Sequence, residues 1–373
     1  MKKRLILFLL SNFRSGGAET QYGNLIRNID REKFIPVLGL IHYRNNAPTE
    51  KFLERFGDVE KHSFYRKGKF DISVITSISS WAKNNNIDLI QSQLFMDNQI
   101  ARLSALLARL PVVTSVRGEI GPLLGPRKMW FEQKAQIMSN KIVVNSDWLR
   151  RYLVSNGSDN NKIVVIHNGV DYSRLEHDSN KDNLRKKYNI PADNHVITIV
   201  ARLHPMKDHI TFLDAIKVIK NSLPNITVLV IGDGTERSKL EGYTKKLQLN
   251  DTVNFLGNVE DDINEIYGVS NLLMLTSQWG ESFPNVILEA MFSRVPVVAS
   301  DISAVNEIID DGENGFLVNS KDVNAFSKAA LSILEDKSLS EKLSSAGRHK
   351  SELFNIPVMV KKYEDMYQSL LSA

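Results

Sequence analysis

The chain has 373 residues and no cysteine, which excludes a disulfide scaffold, thiolate metal sites and catalysis by a thiol. Its length is too great for one compact core and suits two domains, and a hydrophobic content of 42% is that of a soluble globular protein. The net charge is +4, but residues 1–167 carry 25 Lys and Arg against 14 Asp and Glu, so the N-terminal half is basic. No recognition motif for nucleic acid accompanies this charge, and we expect no nucleic-acid partner.

The first predicted element is a buried strand at residues 5–10, directly after three basic residues. The apolar run is short and no small-residue cleavage site closes it, so we interpret it as a strand rather than a signal peptide. No later stretch has the roughly 18 to 20 apolar residues that span a bilayer. We therefore expect a cytoplasmic protein that acts, if at a membrane, peripherally at the inner face of the plasma membrane.

Apolar runs typical of buried parallel strands alternate with segments of helical spacing along the chain. The predicted strands are residues 5–10, 34–41, 89–91, 112–116, 141–145 and 163–166, then 196–201, 227–231, 253–256, 272–275 and 297–300. The predicted helices are residues 19–28, 98–108, 211–222, 284–293, 323–335, 339–345 and 358–371. This alternation predicts an α/β fold of two Rossmann-like parallel-sheet domains that face each other across a cleft.

A domain boundary is predicted near Asn168-Gly169, where a turn follows the last strand of the first series. The polar stretch 177–187 is interpreted as a linker with a lead-in helix. The predicted domains are residues 1–170 and 171–356, and residues 357–373 form a C-terminal helix.

The loop after the first strand carries Gly16 and Gly17 ahead of a helix. Adjacent glycines let the backbone approach a ligand, and a helix N-terminus favours an anion, so the loop could cradle a phosphate. It is neither a GxGxxG nor a Walker motif, and a plain strand-to-helix turn explains it equally well.

A second group of candidates, Arg202 and Lys207, follows the strand at 196–201. Ligands of open α/β sheets lie at the carboxyl ends of the strands. Arg and Lys there could bind a diphosphate and stabilise the charge that develops on it as a leaving group. The alternative is two surface cations.

The third group runs from Glu281 to Glu289 and opens a helix. Pro284 suits a first helical turn. The backbone N–H groups of Phe283, Asn285 and Val286 lie where the N-terminus of a helix binds an anion. Glu289 could accept hydrogen bonds from a ribose diol, while Glu281, ahead of the helix, would lie by a sugar. A capping acid and a surface acid are the alternative reading.

Weaker signals complete the search for site residues. Gly257 ends a strand and could allow backbone contact with a base, and Gly232-Asp233-Gly234 follows another strand. Residues 310–315 resemble a calcium loop only superficially, because the ligand spacing is absent. No cluster has metal-ligand spacing and no Asp-x-Asp occurs, so we expect neither a metal nor another cofactor.

These motifs together resemble the GT4-type retaining glycosyltransferases of the GT-B fold, also described as bacterial glycosyltransferase group 1. The resemblance rests on the E-x7-E pattern of Glu281 and Glu289, and it extends over nearly the whole chain. Its other parts are residues 16–19, 165–171, 201–207, 232–234 and 312–318.

The resemblance implies a metal-independent hexosyltransferase that moves a sugar from a nucleotide-sugar donor, a UDP-sugar in our prediction, to a saccharide or lipid-linked saccharide in cell-surface glycan synthesis. It implies that Arg202 and Lys207 bind the donor diphosphate, that Glu289 holds the ribose and that Glu281 contacts the sugar. Gly16 and Gly17 would let the N-terminal domain close over the phosphates. The first domain would bind the acceptor, the second the donor, and the final helix would cross back to the first domain.

The chain departs from this family at Arg117, where many relatives carry a histidine near the sugar. An arginine cannot act as a general base at neutral pH. We predict that Arg117 belongs to the catalytic residues as a binder of phosphate or of an acidic acceptor group.

Two basic and aromatic segments indicate an anionic membrane surface or a lipid-linked acceptor as partner of the basic N-terminal domain. One is Arg127-Lys128 followed by Met129, Trp130, Phe131 and Ile137, and the other is residues 65–70. Core packing with solvated charge is the alternative for each.

Two other functions stay open for the same residues: a GT-B nucleotide-sugar epimerase and a non-catalytic nucleotide-sugar binding protein. Consumption of the donor without an acceptor would distinguish the epimerase.

Overall fold

The computed structural model describes residues 2–13, 16–43, 46–68, 71–117, 125–176, 181–259 and 262–372. Ser15, Lys69, Phe70, Gly118, Glu119 and residues 177–180, which belong to segments discussed above, lie outside these ranges. The chain divides into two compact units, one up to Gly169 together with the segment from Ile356 onward, the other Val170–Asn355. The units divide after Gly169 and after Asn355, each one residue before the predicted domain ends at residues 170 and 356.

The first unit begins with strands and helices in strict alternation. They are β1 (Arg4–Leu10), α1 (Gly17–Asn28), β2 (Phe34–Tyr43), α2 (Glu50–Leu53), β3 (Glu60–Arg66), α3 (Ser73–Asn84), β4 (Leu89–Gln93), α4 (Phe95–Ala108), β5 (Val112–Val116), α5 (Pro126–Ala135), β6 (Lys141–Val144), α6 (Asp147–Ser155) and β7 (Ile163–Val165).

The second unit repeats this alternation as far as β12, after which a second strand and then two helices follow in succession. It comprises α7 (Lys181–Lys187), β8 (His195–Val200), α8 (His209–Ser222), β9 (Ile226–Ile231), α9 (Arg237–Lys246), β10 (Val253–Gly257), α10 (Ile263–Val269), β11 (Leu272–Leu275), α11 (Asn285–Phe292), β12 (Val297–Ser300), β13 (Phe316–Val318), α12 (Val323–Glu335) and α13 (Lys337–Ser351). The last helix, α14 (Ile356–Ser372), belongs to the first unit.

Each unit is built on one parallel sheet of Rossmann-like order. Among the described residues the first sheet has the strand order β3-β2-β1-β4-β5-β6-β7 and the second has β10-β9-β8-β11-β12-β13. In the first, Leu7 pairs with Val37 on one side and with Ile90 on the other. The order reverses beside β1 and beside β8, and such a reversal opens a crevice for ligands at the carboxyl ends of the strands.

Helix α14 packs on the first sheet through the face that its helical spacing predicts. Met359, Tyr363 and Tyr367 are buried in one cluster with residues of β1, β2 and α1. The Tyr367 ring lies edge-on to Phe34 at 5.7 Å, and the backbone N–H of Asp30 donates to Glu364 at 2.8 Å. The C-terminal segment is therefore part of the N-terminal core.

Strand β3 is absent from the sequence-based prediction because its residues are mostly polar. It lies at the edge of the sheet, where Glu60, Lys61 and Tyr65 are exposed and Phe64 is buried. A strand with one face in water needs an apolar side chain at only every second position, and β3 has fewer than that. Part of the predicted basic-aromatic segment at 65–70 therefore lies on this edge, where Tyr65 packs against His42 at 5.0 Å.

Gly234 is required by a close approach of two backbones in the second unit. A Cβ atom at this position would lie 2.3 Å from the carbonyl oxygen of Leu203. We expect Gly234→Ala to destabilise the protein by about 1–3 kcal/mol through overpacking, measured as a lower Tm. Gly242→Ala, in helix α9 where nothing lies within 4 Å, is the matched control and should leave Tm unchanged or raise it. Equal Tm values for the two variants would contradict this account.

Candidate active site

The strongest candidate site lies where the strand order reverses in the second sheet. Strands β8 and β11 are neighbours, with Leu272 of β11 paired to Ile197 of β8. The loop after β8 carries Arg202 and Lys207, and the loop after β11 carries Glu281. The sheet thus brings two of the three predicted groups to the same crevice.

These two loops are held together by hydrogen bonds to the backbone. The hydroxyl of Thr276 donates to the carbonyl oxygens of Lys207 and Asp208 at 3.1 and 3.0 Å. The backbone N–H of Gln278 donates to the carbonyl of Met206 at 2.8 Å. The position of Lys207 is therefore fixed by the strand next to its own.

Lys207 and Glu281 form a largely buried ion pair across this crevice. The Lys207 ammonium donates to Oε1 of Glu281, which also accepts from the Ser277 hydroxyl at 2.6 Å. A cation and a carboxylate held together, with other donor and acceptor positions open, suit a ligand that has both anionic oxygens and hydroxyl groups.

Two residues with positive φ shape the backbone around this pair. Gly280 has a φ of 81°, and a Cβ there would lie 2.6 Å from the sulfur of Met206, so the turn before Glu281 needs glycine. Asp208 has a φ of 46° and accepts from the Thr211 hydroxyl at 2.7 Å, which caps helix α8 directly after Lys207.

Arg202 differs from Lys207 in its surroundings. Its side chain is exposed, and among the described residues no hydrogen-bond or ion-pair partner is found for it. Its backbone carbonyl accepts from the N–H of His204 at 2.8 Å. Its guanidinium is available to a ligand anion, while its assignment to the diphosphate stays a prediction.

Glu289 lies in a separate set of contacts. Its Oε1 pairs with the guanidinium of Arg174, and its Oε2 accepts from the Tyr267 hydroxyl at 3.1 Å. Burial, and then the Glu289 charge, raise the pKa of Tyr267 well above its usual range, so this hydroxyl is a donor at neutral pH. Each oxygen of Glu289 keeps a lone pair for a further donor.

The segment between the two glutamates places Pro284 just before helix α11, as its N-cap, rather than in the first turn as predicted. The helix begins at Asn285, followed by Val286, and Glu289 is in its second turn. Phe283 is buried and packs edge-on against Phe354 at 5.2 Å. The backbone at the start of α11 is thus anchored by a buried aromatic side chain.

Gly257 contacts the loop after β9 through its backbone. Its carbonyl accepts from the N–H of Gly232 at 2.7 Å, and its φ of 73° occurs at an irregularity in the pairing of β10 with β9. The Gly257 carbonyl thus already accepts one internal hydrogen bond. The contact of Gly257 with a base stays a prediction.

The reversal point of the first sheet has a different chemistry. The loop after β1 holds Ser11, whose N–H and hydroxyl both donate to the buried carboxyl group of Asp97 in α4. Glu19, in the first turn of α1, is also buried and accepts from the Asn12 amide at 2.6 Å. Two acidic side chains therefore lie beside the loop of Gly16 and Gly17.

Gly16 and Gly17 lie at the start of helix α1 as predicted, with Gly16 as its N-cap in an extended conformation. A Cβ on Gly16 would lie 2.6 Å from a carboxylate oxygen of Glu19, whereas one on Gly17 would have open space around it. A phosphate here would have to bind to backbone N–H groups, because the nearest charged side chain is an acid.

Arg117 is buried at the end of β5, and its two terminal nitrogens have internal acceptors. One donates to the Asn168 side chain at 2.7 Å and the other to the Tyr363 hydroxyl at 2.9 Å. Arg117 therefore connects three segments of the first unit: β5, the residues before the unit boundary, and α14. Its predicted contact with a substrate stays a prediction.

The sequence analysis did not identify Ser277, Thr276, Arg174 and Tyr267 as part of the site. Arg174 contacts a residue 115 positions away, and no spacing rule links them. Ser277 and Thr276 follow a predicted strand, so a search of every polar residue at a strand end would have found them.

Among the described residues, no group of three or more His, Asp or Glu side chains could hold a metal ion. Within the same residues, no helix combines the length and the apolar character needed to cross a bilayer.

Comparison with known proteins identifies the class. Residues 180–350 match the family of glycosyl transferases group 1, and residues 15–174 match glycosyltransferase family 4. The chain belongs to the GT4-type glycosyltransferases of the GT-B fold. It is an enzyme of the hexosyltransferase type.

Particular relatives extend over most of the chain. The Escherichia coli protein UDP-Gal:alpha-D-GlcNAc-diphosphoundecaprenol alpha-1,3-galactosyltransferase is 27% identical over 80% of this chain and 79% of its own. The Bacillus anthracis N-acetyl-alpha-D-glucosaminyl L-malate synthase is 24% identical over 84% and 83%. The Anabaena protein Alr3699/HepE, solved with UDP and glucose, has a TM-score of 0.85 at 22% identity, over 98% of this chain and 99% of its own.

Asp97 generates a pH-dependent prediction. Burial raises the pKa of this carboxyl from 3.8 to about 7, despite the hydrogen bonds from Ser11. Between these two pKa values the folded state keeps a proton that the unfolded chain has lost. The free energy of unfolding therefore falls as pH rises, by at most about 1.4 kcal/mol per pH unit. Asp97→Asn cannot ionise, so the Tm of the variant relative to wild type should rise between pH 4.5 and 7. A constant Tm difference over this range would contradict the buried protonated acid.

Proposed function

We propose that this enzyme transfers a hexose from a UDP-sugar to a saccharide or lipid-linked saccharide, with retention of anomeric configuration and without a metal ion. The Lys207–Glu281 ion pair at the reversal point of the second sheet carries the proposal. It puts a cation for phosphate oxygens beside a carboxylate for sugar hydroxyl groups. The relatives named for a UDP-galactose donor and solved with UDP support this choice of nucleotide.

The second unit is the donor-binding unit in this proposal. Lys207 and Arg202 bind the diphosphate and neutralise it as it departs. Glu281 orients the sugar through its hydroxyl groups, because its Oε1 is already held by Lys207 and Ser277. The carboxylate is thereby a positioning group rather than a nucleophile.

The reaction follows from these roles. The bond between the anomeric carbon and the diphosphate oxygen breaks, and an oxocarbenium-like state develops on the sugar. The acceptor hydroxyl attacks from the face that the diphosphate leaves and forms the new glycosidic bond. Its proton passes to the leaving phosphate oxygen, so no separate base is required.

Glu289 is proposed to bind the ribose. Arg174 and Tyr267 each occupy one carboxylate oxygen and fix its plane, which leaves the two oxygens side by side for a vicinal diol. A fixed acceptor pair distinguishes a ribonucleotide from an analogue that lacks these hydroxyl groups.

The first unit is the acceptor-binding unit in this proposal. Its reversal point carries the acid Asp97 and the acid Glu19, which suit the hydroxyl groups of a saccharide better than a phosphate. A role in cell-surface glycan synthesis and a cytoplasmic location are further parts of the proposal.

Nucleotide binding tests the role of Lys207 directly. UDP should raise the Tm of the wild-type protein more than GDP or ADP does. Lys207→Ala removes a charge-assisted hydrogen bond and should weaken UDP binding by about tenfold or more in titration calorimetry. Lys328→Ala, an exposed lysine of the same unit, is the control and should bind as wild type. Unchanged UDP affinity in Lys207→Ala would refute the assignment.

Product analysis tests the reaction. With a turned-over donor and acceptor, the product anomer should have the configuration of the donor in an NMR spectrum, and Glu281→Gln should lower kcat. An inverted product would exclude retention. Conversion of the donor without an acceptor would instead indicate the epimerase.

Matched tyrosine variants test the ribose assignment. Tyr267→Phe removes the donor to Glu289, whereas Tyr243→Phe removes a hydroxyl that donates to Asp214 in the same unit. Wild type should prefer UDP over its 2′,3′-dideoxy analogue, and Tyr267→Phe should reduce this preference several-fold while Tyr243→Phe preserves it. An equal preference in all three proteins would contradict the role of Glu289.

A further inference from the structure

Helix α5 and the turn after it expose three large apolar side chains and bury two polar ones. Trp130, Phe131 and, in the turn after the helix, Ile137 are 61%, 51% and 78% exposed. The polar side chains Glu132 and Gln136 are buried on the opposite face. Large exposed apolar side chains opposite buried polar ones depart from the usual pattern of a helix on the surface of a globular domain.

The adjacent helix α4 continues the same pattern. Met96, Leu103, Leu106 and Leu107 are exposed at a spacing that places them along one side of the helix. Seven of the sixteen large apolar side chains exposed among the described residues therefore lie in α4, α5 and the turn after it. Single exposed apolar side chains are ordinary, but a concentration of this kind marks an interaction surface.

The two helices are joined through one buried ion pair. Arg102 of α4 donates to both carboxylate oxygens of Glu132, at 2.6 and 2.9 Å, and to the Ser139 hydroxyl at 2.9 Å. Gln99 donates to the same carboxylate at 2.5 Å. Their exposed faces thus belong to neighbouring elements of one unit, and we call these faces together the α4–α5 face.

The exposed charge in the described parts of α4, α5 and their flanking segments has one sign. Residues 95–117 and 125–141 contain two acids, Asp97 and Glu132, and both are buried. The exposed charged side chains of these segments are all cations: Arg109, Arg127, Lys128 and Lys134. Lys162 adds an ammonium at the edge, where it donates to the carbonyl of Ile137 at 2.7 Å.

We propose that the α4–α5 face docks on the surface of an anionic phospholipid bilayer. Indole and phenyl rings favour the boundary between headgroups and acyl chains, and lysines beside them are attracted to anionic headgroups. The cores of protein–protein interfaces, by contrast, are depleted in lysine. Exposed aromatic side chains framed only by cations therefore favour a membrane over a protein partner.

Vesicle sedimentation with the full chain tests the proposal. The protein should bind vesicles of phosphatidylcholine with phosphatidylglycerol, bind pure phosphatidylcholine weakly, and dissociate as salt is added. The measurement needs neither nucleotide nor acceptor, so its failure leaves the proposed transfer reaction untouched. No binding to the anionic vesicles would overturn the proposal.

Two pairs of variants locate the face. Lys128→Glu with Lys134→Glu should weaken binding at least about tenfold, whereas Lys328→Glu with Lys342→Glu, exposed on the other unit, should have a small effect. Ile137→Ser should weaken binding several-fold, while Ile72→Ser, at a residue 76% exposed in the same unit, should not. Equal losses within either pair would overturn the assignment of the face.

Tryptophan fluorescence supplies a readout that simple charge attraction does not give. Lipids brominated on their acyl chains should quench the protein's emission on binding, and Trp130→Phe should remove most of this quenching while it preserves sedimentation. All variants should keep wild-type Tm and UDP affinity. If Trp130→Ala with Phe131→Ala changed self-association in light scattering but not vesicle binding, the face would be an interface between copies, and the proposal would be wrong.

Discussion

The ion pair between Lys207 and Glu281 is the interaction on which the proposed chemistry depends. Its two members lie 74 positions apart and meet because β8 and β11 are neighbours in a parallel sheet whose order reverses between them. Removing both charges from water has a cost, which the Ser277 hydroxyl and the remaining exposure of Lys207 reduce. Because of this cost, the pair is weak evidence for a role in stability, and the proposed function uses it for binding.

The two units share a strand order, but the side chains at their reversal points differ. In the second unit the reversal point carries the Lys207–Glu281 ion pair, which suits the proposed nucleotide-sugar. In the first it carries Asp97, a carboxyl group whose pKa is raised to about 7, together with Ser11 and Glu19. In the proposed reaction, the second unit binds the donor diphosphate and the first binds the hydroxyl groups of the acceptor.

Arg117 and α4–α5 show how the first unit departs from a simple scaffold. Arg117 occupies a position where the family resemblance suggests a histidine. Its contacts with Asn168 and Tyr363 connect the end of β5 to the segments that precede and follow the second unit in the sequence. The α4–α5 face uses the buried Arg102–Glu132 pair to remove the local negative charge from the surface. In both cases a buried arginine joins separate elements of the first unit.

The sequence determined the α/β class, the two series of strands, the positions of Arg202, Lys207 and Glu281 in loops after strands, and that of Glu289 in a helix. It could do so because fully buried parallel strands are continuous apolar runs, and because ligand-binding residues follow such runs directly. The edge strand β3 lacked such an apolar run, because fewer of its sides pack against other elements and its residues are mostly polar.

Only the tertiary structure decided which side chains touch. The bond from Arg174 to Glu289 and the bonds from Arg117 to Asn168 and Tyr363 join residues that no periodicity relates. Likewise the segment around Trp130 could be read from sequence as core or as surface, because helical spacing defines two faces without saying which of them is buried. The packing of Glu132 on Arg102 settled that question, since an ion pair in the interior turns the aromatic face outward.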